Sequence, residues 1–215
     1  MFSSRRSFLN HMGGMAVPAV QRYGYGFVQG ANDAAKADGK TDVTMNYAYG
    51  NQFYGDADIT AAMDTWYDGG VEVVFACGGG IFTSAGEAAA KVGAKVIGVD
   101  VDQSFTIDAL YGEGMTVTSA MKGLAATVNT MLTKVKAGSF VGGQVENLGL
   151  VSADPDANYV QIPWTTQFAD SFTEADYRQL VADMFSGAIT VSNDISAAAG
   201  DFATDIALTD LGNLK

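Results

Sequence analysis

The sequence has one cysteine, one histidine and three prolines among its 215 residues. A single cysteine excludes an internal disulfide, and one cysteine with one histidine supplies too few soft ligands for a zinc site. His11 lies near the N-terminus, so Cys77 has no evident base that would make it a nucleophile. Cys77 follows the apolar residues 73–76, which predicts a small buried side chain. We therefore expect neither a metal nor another cofactor.

Positive charge is also scarce, because 12 Lys and Arg stand against 24 Asp and Glu, a formal net charge of −12. This charge repels phosphate backbones, so nucleic acid is excluded as an expected partner. No stretch approaches the roughly eighteen apolar residues of a membrane span. Residues 4–9 resemble a twin-arginine export signal, but residues 10–14 interrupt the apolar region that a signal needs. We expect no export signal in this chain.

Hydrophobic residues make up 48% of the chain and glycine accounts for 26 positions, a composition typical of an ordered α/β protein. Periodicity and turn residues predict alternating strands and helices. The predicted strands are residues 41–47, 71–77, 95–99, 115–118, 143–151 and 189–191, and the predicted helices are 18–38, 59–67, 84–92, 119–136 and 173–185. This succession predicts βαβ units in a doubly wound parallel sheet.

The apolar residues 96–99 are typical of a buried strand, and the carboxylates of Asp100 and Asp102 follow them. Open α/β sheets bind ligands beyond the carboxyl ends of their strands, so we expect Asp100 in a binding cleft. Its carboxylate could accept hydrogen bonds from two sugar hydroxyls, although a helix-capping or surface role stays open. Alternate residues on an extended segment point in opposite directions, which disfavours Asp100 and Asp102 as an acid–base pair.

Three further positions are candidates for ligand contact. The glycines 78–80 separate a predicted strand from a predicted helix, which suits either backbone contact with a ligand or a simple tight turn, and they match no nucleotide-phosphate motif. Phe53 lies in a glycine-rich loop after a strand, where an aromatic ring could stack on a flat base, whereas Trp66 and Phe75 are expected in the core. Lys122, one turn into the helix predicted at 119–136, could be solvated, or it could contact a polar ligand or Asp100.

Five segments, in order, resemble the basic membrane lipoprotein family, the substrate-binding proteins of ABC importers that include purine nucleoside receptors. The segments are Gly13-Gly14-Met15 through Gly30-Ala31, Gly50-Asn51-Gln52-Phe53, Ala76-Cys77-Gly78-Gly79, Ile97-Gly98-Val99-Asp100-Val101-Asp102-Gln103 and Thr118-Ser119-Ala120-Met121-Lys122. The similarity spans about residues 12–192. It implies a type I periplasmic-binding-protein-like fold of two doubly wound lobes, and a receptor rather than an enzyme.

The resemblance also implies roles for single residues. It assigns Asp100 and Lys122 to the ribose hydroxyls of a nucleoside, in particular a purine nucleoside. It assigns Phe53 to the base, and Gly78 or Gly79 to a backbone contact. Two alternatives stay open: a sensor or regulatory domain that binds a sugar or other small solute, and a small α/β enzyme that uses Asp100.

By the same resemblance, most of a first lobe is missing from the chain. Residues 12–118 are then the ligand-binding lobe, residues 119–215 are the return segment and tail of the truncated first lobe, and residues 1–11 are an N-terminal end without a structural assignment. An exposed half-sheet would favour self-association. The resemblance further implies an extracytoplasmic, membrane-anchored lipoprotein whose partner is an ABC transporter permease.

Overall fold

The computed structural model of the protein describes residues 9–215, and within them seven strands form one sheet in the order β6-β5-β4-β3-β1-β2-β7. The strands are β1 (Leu9–Gly13), β2 (Thr44–Tyr49), β3 (Val73–Cys77), β4 (Lys95–Asp100), β5 (Thr116–Lys122), β6 (Val160–Gln161) and β7 (Ala207–Asn213). The helices are α1 (Pro18–Ala37), α2 (Ala57–Asp68), α3 (Phe82–Val92), α4 (Ser104–Tyr111), α5 (Leu124–Lys136) and α6 (Glu174–Ser186). Neighbouring strands are parallel except β5 and β6, which are antiparallel.

The strand order β2-β1-β3-β4-β5 is that of a doubly wound sheet, as predicted. The chain adds β2 on one side of β1 and then returns to add β3 on the other, so the winding reverses between β1 and β3. Apolar side chains on one face of the sheet pack against α1, and those on the other face pack against α2, α3 and α4. Proteins with such a sheet bind their ligands where the winding reverses, just beyond the carboxyl ends of the strands.

Strand β5 extends into a segment that the sequence predicts to be helical. The prediction of a helix from residue 119 is wrong, because residues 119–121 pair with residues 98–100 of β4 and α5 begins only at Leu124. Pairing with a neighbouring strand overrides the helix propensity of this segment. β5 therefore crosses residue 118, the predicted end of the ligand-binding lobe. At the other end, residues 9–11, predicted without a structural assignment, belong to β1.

Two predicted strands are wrong, and three elements, α4, β6 and β7, were not predicted. In the part of the chain that the structure describes, residues 143–151 and 189–191 form no strand, because no strand lies beside them. The missed elements are the short helix α4 and the two edge strands, β6 beside β5 and β7 beside β2. The helix predicted from residue 173 is confirmed as α6, with Thr173 and Asp176 forming the expected capping box.

Candidate functional site

Three glycines lie at the carboxyl ends of β1 and β3, the two strands between which the winding reverses. We call this backbone surface the floor of the candidate site. The Gly14 N–H donates to the Cys77 carbonyl at 2.9 Å, which joins the ends of β1 and β3. A Cβ atom on Gly78 would lie 2.9 Å from the Gly14 backbone nitrogen, and one on Gly13 would lie 2.6 Å from the Tyr49 ring. Only residues without a Cβ allow the backbones to approach this closely.

Phe53 lies above this floor, in the loop after β2. A Cβ atom on Gly14 would lie 2.6 Å from the Phe53 ring, so the ring rests directly on the Gly14 backbone. The Gly80 N–H donates to the Phe53 carbonyl at 2.9 Å, which fixes the loop to the segment after β3. Phe53 is 44% exposed, whereas Trp66 and Phe75 are buried as predicted. The Phe53 ring is therefore presented at the carboxyl edge of the sheet.

The loop that carries Phe53 is held by contacts that the sequence did not reveal. The Asp56 carboxylate accepts hydrogen bonds from the Ile59 N–H at the start of α2 and from Gln52 Nε2, and it pairs with Lys215. The hydrogen bond from Lys215, then the one from Ile59, lowers the pKa of Asp56 to about 2. The last residue of the chain thus braces the loop beside the candidate site.

Asp100 and Lys122 end adjacent strands and form an ion pair, with Lys122 Nζ 2.6 Å from Asp100 Oδ1. Their side chains are 34% and 42% exposed, so the pair lies open at the sheet edge. Lys122 occupies a strand end rather than the first turn of a helix, and of the three roles considered for it the structure shows the contact with Asp100. Exposed ion pairs contribute little to stability, so polar groups of a ligand can replace part of this contact at small cost.

Asp102 is separated from this pair. Its Oδ1 atom accepts hydrogen bonds from the Ser104 N–H and hydroxyl at the start of α4, and its Oδ2 atom accepts one from the Thr165 hydroxyl at 2.8 Å. The two aspartates therefore have different partners, which agrees with the expectation that they would not form an acid–base pair. Gln103 occupies the N-cap position of α4, and Asp102 lies one residue before it, so its bond to the Ser104 N–H is a local turn contact rather than a helix cap.

Gly79 lies between Phe53 and Asp100. A Cβ atom on Gly79 would be 3.5 Å from the Phe53 carbonyl oxygen and 4.0 Å from Asp100 Oδ2, and its φ of +55° suits glycine. Among residues 9–215 the Gly79 N–H has no hydrogen-bond acceptor. The Gly78 N–H, in contrast, donates to the Ala76 carbonyl. Of the two glycines predicted for backbone contact, Gly79 is therefore the one with an unused donor.

Two further groups that can ionise lie beneath the ion pair. Burial raises the pKa of the Cys77 thiol, and the charge of Asp100 raises it further, so the thiol stays protonated at neutral pH. The Tyr23 hydroxyl donates to the Met121 carbonyl at 3.1 Å, and burial, followed by the charges of Cys77 and Asp100, raises its pKa. Tyr23 joins α1 to the end of β5 next to Lys122. It belongs to the first of the family-like segments, which was the available sequence signal.

The rest of the described structure contains no better candidate for a ligand site. Within residues 9–215, no group of three His, Cys, Asp or Glu side chains is arranged to hold a metal. A hollow of about 400 Å³ lies between α5 and the segment that follows it. Met131, Phe140 and Leu148 line this hollow, and none of the predicted site residues does. The candidate site lies apart from this hollow, at the carboxyl ends of the strands, where Phe53, Asp100 and Lys122 are partly exposed.

The fold is shared with solute-binding proteins of ABC transporters. A solute-binding protein from Conexibacter woesei superimposes on this chain with a TM-score of 0.57 and 18% sequence identity. The superposition covers 88% of this chain and 58% of the Conexibacter protein. A second, from Aeropyrum pernix K1, has a TM-score of 0.57 and 23% identity, over 92% of this chain and 54% of that chain. These similarities confirm the predicted fold class.

The sequence profile of the Bmp family, described as ABC transporter substrate-binding protein PnrA-like, matches residues 2–182. The chain belongs to this family, which confirms the resemblance. The nucleoside-binding protein BmpA of an ABC transporter from Lactococcus lactis is 28% identical over 201 residues, 88% of this chain and 54% of that protein. This chain thus spans about half the length of that relative.

The family also bears on enzymatic activity and location. It consists of solute-binding proteins rather than enzymes, which confirms the prediction of a receptor over an α/β enzyme that uses Asp100. Its members are extracytoplasmic substrate-binding lipoproteins. In the described part of this chain, no helix has both the length and the apolar character needed to cross a membrane.

Proposed function

We propose that this chain provides a ligand-binding lobe of a receptor that captures a nucleoside, in particular a purine nucleoside, for an ABC importer. The main observation behind the proposal is that the loop residues Phe53 and Gly79 and the strand-end residues Asp100 and Lys122 lie together at the carboxyl ends of the strands. A relative named as nucleoside-binding supports the choice of ligand. A sheet edge of this kind is the usual ligand site of doubly wound folds.

The polar part of the site suits a ribose. The Asp100 carboxylate can accept hydrogen bonds from two adjacent hydroxyls, each worth about 1.5–3 kcal/mol because the acceptor is charged. The Lys122 ammonium, 2.6 Å from that carboxylate, can donate to an oxygen of the same sugar. The unused Gly79 N–H adds a donor beside Asp100. Two acceptor oxygens flanked by two donors match vicinal hydroxyls well.

The apolar part of the site suits a base. The half-exposed Phe53 ring rests on Gly14, so one of its faces is free to stack on a flat heterocycle. Stacking of a base on an aromatic side chain is worth about 1–3 kcal/mol. A two-ring purine covers more of this ring than a pyrimidine does, which favours a purine nucleoside.

We expect the second lobe, the transporter partner and the cellular location of this protein to be those of its family. A second lobe would close over the open edge and bury the other side of the nucleoside, and an ABC transporter permease would receive it. We propose an extracytoplasmic location with attachment to the membrane as a lipoprotein. Because the described edge contacts only one side of a ligand, we expect this chain alone to bind a nucleoside weakly.

We also propose that the isolated chain self-associates through an apolar surface on α5, which we call the α5 surface: Leu124, Val128, Leu132 and Val135. Each of these side chains is more than half exposed, and no residue of α5 is buried. Contiguous exposed apolar surface of this kind favours association between copies. Light scattering should show oligomers that dissociate in the variant Val128→Lys/Leu132→Lys. A wild-type chain that stays monomeric at high concentration would contradict this proposal.

The nucleoside proposal is tested by calorimetric titration of adenosine into this chain and into a version completed with a first lobe from the L. lactis relative. The completed version should release heat, and Asp100→Asn should weaken its affinity by about tenfold or more, equal to about 1.4 kcal/mol. Asp102→Asn is the matched control, since that side chain bonds Ser104 and Thr165 rather than Lys122, and an asparagine side-chain oxygen can still accept such hydrogen bonds. No heat from the completed version would overturn the proposal.

A further inference from the structure

Gln103 is a buried polar residue just beyond β4, and the proposed ligand contacts do not include it; only 8% of it is exposed. Its backbone N–H donates to the Ser119 hydroxyl at 3.1 Å. Its side-chain oxygen accepts from the Val99 N–H at 2.9 Å, and its side-chain nitrogen donates to the Gly79 carbonyl at 3.0 Å. One amide side chain thus links the end of β4 to the loop after β3, and its backbone links both to β5.

The surrounding sequence makes room for these bonds. A Cβ atom on Gly98 would lie 2.7 Å from both the Gln103 side-chain oxygen and the Ser119 hydroxyl. Ser119 is fully buried and lies opposite Gly98 in the pairing of β4 with β5. Gly98, Gln103 and Ser119 therefore form one buried polar unit directly beneath the sheet edge. A buried network of this kind is costly to break, because each unpaired group loses its hydrogen bond without regaining water.

The first consequence concerns the backbone of Asp100. Its φ is +72°, in the left-handed region, which costs a residue other than glycine about 1 kcal/mol or more. Such a conformation persists when its neighbours are fixed. The Val99 N–H is held by Gln103, and the Val101 N–H donates to the Val99 carbonyl at 2.9 Å. The turn at Asp100 brings its carboxylate next to Lys122.

The second consequence concerns Gly79. Gln103 occupies the Gly79 carbonyl, whereas the Gly79 N–H is unused among the described residues. Gly79 and Asp100 lie on loops from different strands, and Gln103 is bonded to the first loop and to the residue that precedes Asp100. Its side chain therefore sets the distance between the Gly79 N–H and the Asp100 carboxylate.

We propose that Gln103 is a positioning residue for ligand recognition: through the Val99 N–H and the Gly79 carbonyl it holds the Asp100 carboxylate and the Gly79 N–H in register for the same sugar. This inference rests on the proposed nucleoside site. It adds Gln103 as the residue that positions the hydroxyl-binding groups and so controls the selectivity of the site for ligands with ribose hydroxyls. Gln103 contacts no ligand itself.

The test compares Gln103→Met with Asn158→Leu in the full 215-residue chain. Asn158 is a matched control, because it is also buried and its side-chain amide also bonds only to backbone groups, those of residues 151–154. NMR titrations with adenosine and with 2′,3′-dideoxyadenosine give the selectivity for ribose hydroxyls, and hydrogen exchange without ligand reports on the Val99 amide. Ser119→Ala is the second variant if Gln103→Met does not fold.

We expect Gln103→Met to reduce the preference for adenosine over the dideoxy compound by about tenfold, to shift the Gly79 and Asp100 amide signals without ligand and to speed exchange at Val99. Asn158→Leu should leave all of these unchanged. Unchanged selectivity and unchanged signals in Gln103→Met would overturn the positioning role, as would equal losses in Asn158→Leu. If the wild-type chain binds neither compound, that result counts against the nucleoside site, and the ligand-free signals of Gly79 and Asp100 still decide whether Gln103 positions them.

Discussion

Helices α3 and α5 have similar lengths and apolar stripes in sequence, yet their surroundings are opposite. Five residues of α3 are buried against the sheet and the neighbouring helices, among them Ala85, Ala88 and Ala89. None of α5 is buried, and Leu132 at its centre is 61% exposed. An apolar stripe predicts that a helix is amphipathic, but the stripe is buried only where the fold supplies a surface to face it.

The same contrast divides the molecule into two regions. The first comprises β1 to β5 with α1 to α4, where both faces of the sheet are covered and the strand ends converge on the candidate site. The second comprises α5 and residues 137–151, where apolar side chains face solvent and the backbone forms no strand. Stability and the candidate site belong to the first region, and proposed association belongs to the second.

The sharpest test of this contrast uses one truncation in each region. Ile107 on α4 is fully buried, whereas Leu132 on α5 is mostly exposed. Ile107→Ala should lower the free energy of unfolding by about 2–5 kcal/mol, because it removes buried methyl groups and leaves a cavity. Leu132→Ala should change it by about 0.5 kcal/mol or less. Urea denaturation measures both free energies of unfolding. Similar losses at the two positions would show that α5 is packed as tightly as α4.

A second test uses the only histidine. His11 is completely buried in the first region, its ring is stacked on Tyr47 with centroids 4.2 Å apart, and neither ring nitrogen has a partner among residues 9–215. The rings of Phe75 and Tyr49 meet it edge-on, and Gly24 of α1 packs against it, so no charged group faces it. Burial lowers the pKa of His11 from 6.5 to about 3.

The unfolded chain therefore binds a proton below pH 6.5 that the folded chain does not, so stability is lost as pH falls from 6.5 towards 3. Between pH 6.5 and pH 5 the loss should be about 2 kcal/mol, since each pH unit is worth about 1.4 kcal/mol. His11→Leu should remove this dependence while leaving a flat profile above pH 7. A wild-type profile as flat as that of the variant would show that His11 titrates normally in the folded state.

A third and smaller effect concerns the floor of the site. Gly14→Ala places a methyl group against the Phe53 ring and 3.1 Å from the Gln52 carbonyl oxygen, and it should cost about 1–2 kcal/mol, because the half-exposed ring can move aside but the backbone must also shift slightly. Gly26→Ala is the control, since Gly26 lies within α1 with no neighbouring atom in the way, and alanine there should add about 0.5–1 kcal/mol of stability. Thermal unfolding separates the two variants, and equal effects would mean that the contact between Gly14 and Phe53 is unimportant.

Much of the first region could be predicted from sequence, because strands buried on both faces give continuous apolar runs and glycines mark the turns between elements. The position of Asp100 at a strand end followed from that pattern alone. For Lys122 the residue pattern left contact with Asp100 open, and only the family resemblance grouped the two residues. Its predicted element was wrong, since residues 119–122 favour a helix locally and become a strand only by pairing with β4. Helix α4, with only Ile107 buried, has too weak a stripe to predict.

The remaining contacts of the candidate site depend on distant parts of the chain. Lys215 reaches Asp56 because β7 adds to the edge of the sheet beside β2, and β7 has mostly exposed side chains and no strong alternation. The hydrogen bonds of Gln103 depend on the left-handed turn at Asp100, which no local pattern indicates. Long-range pairing and backbone conformation, rather than composition, decide both.

The most direct test is a map of amide chemical-shift changes as adenosine is added to the full chain, read separately for the two regions. We expect saturable changes at Phe53, Gly79, Asp100 and Lys122, their loss in Asp100→Asn, and no change along α5. Changes confined to α5 and the hollow beside it, with the signals of the four site residues unchanged, would show that the ligand site does not lie at the strand ends.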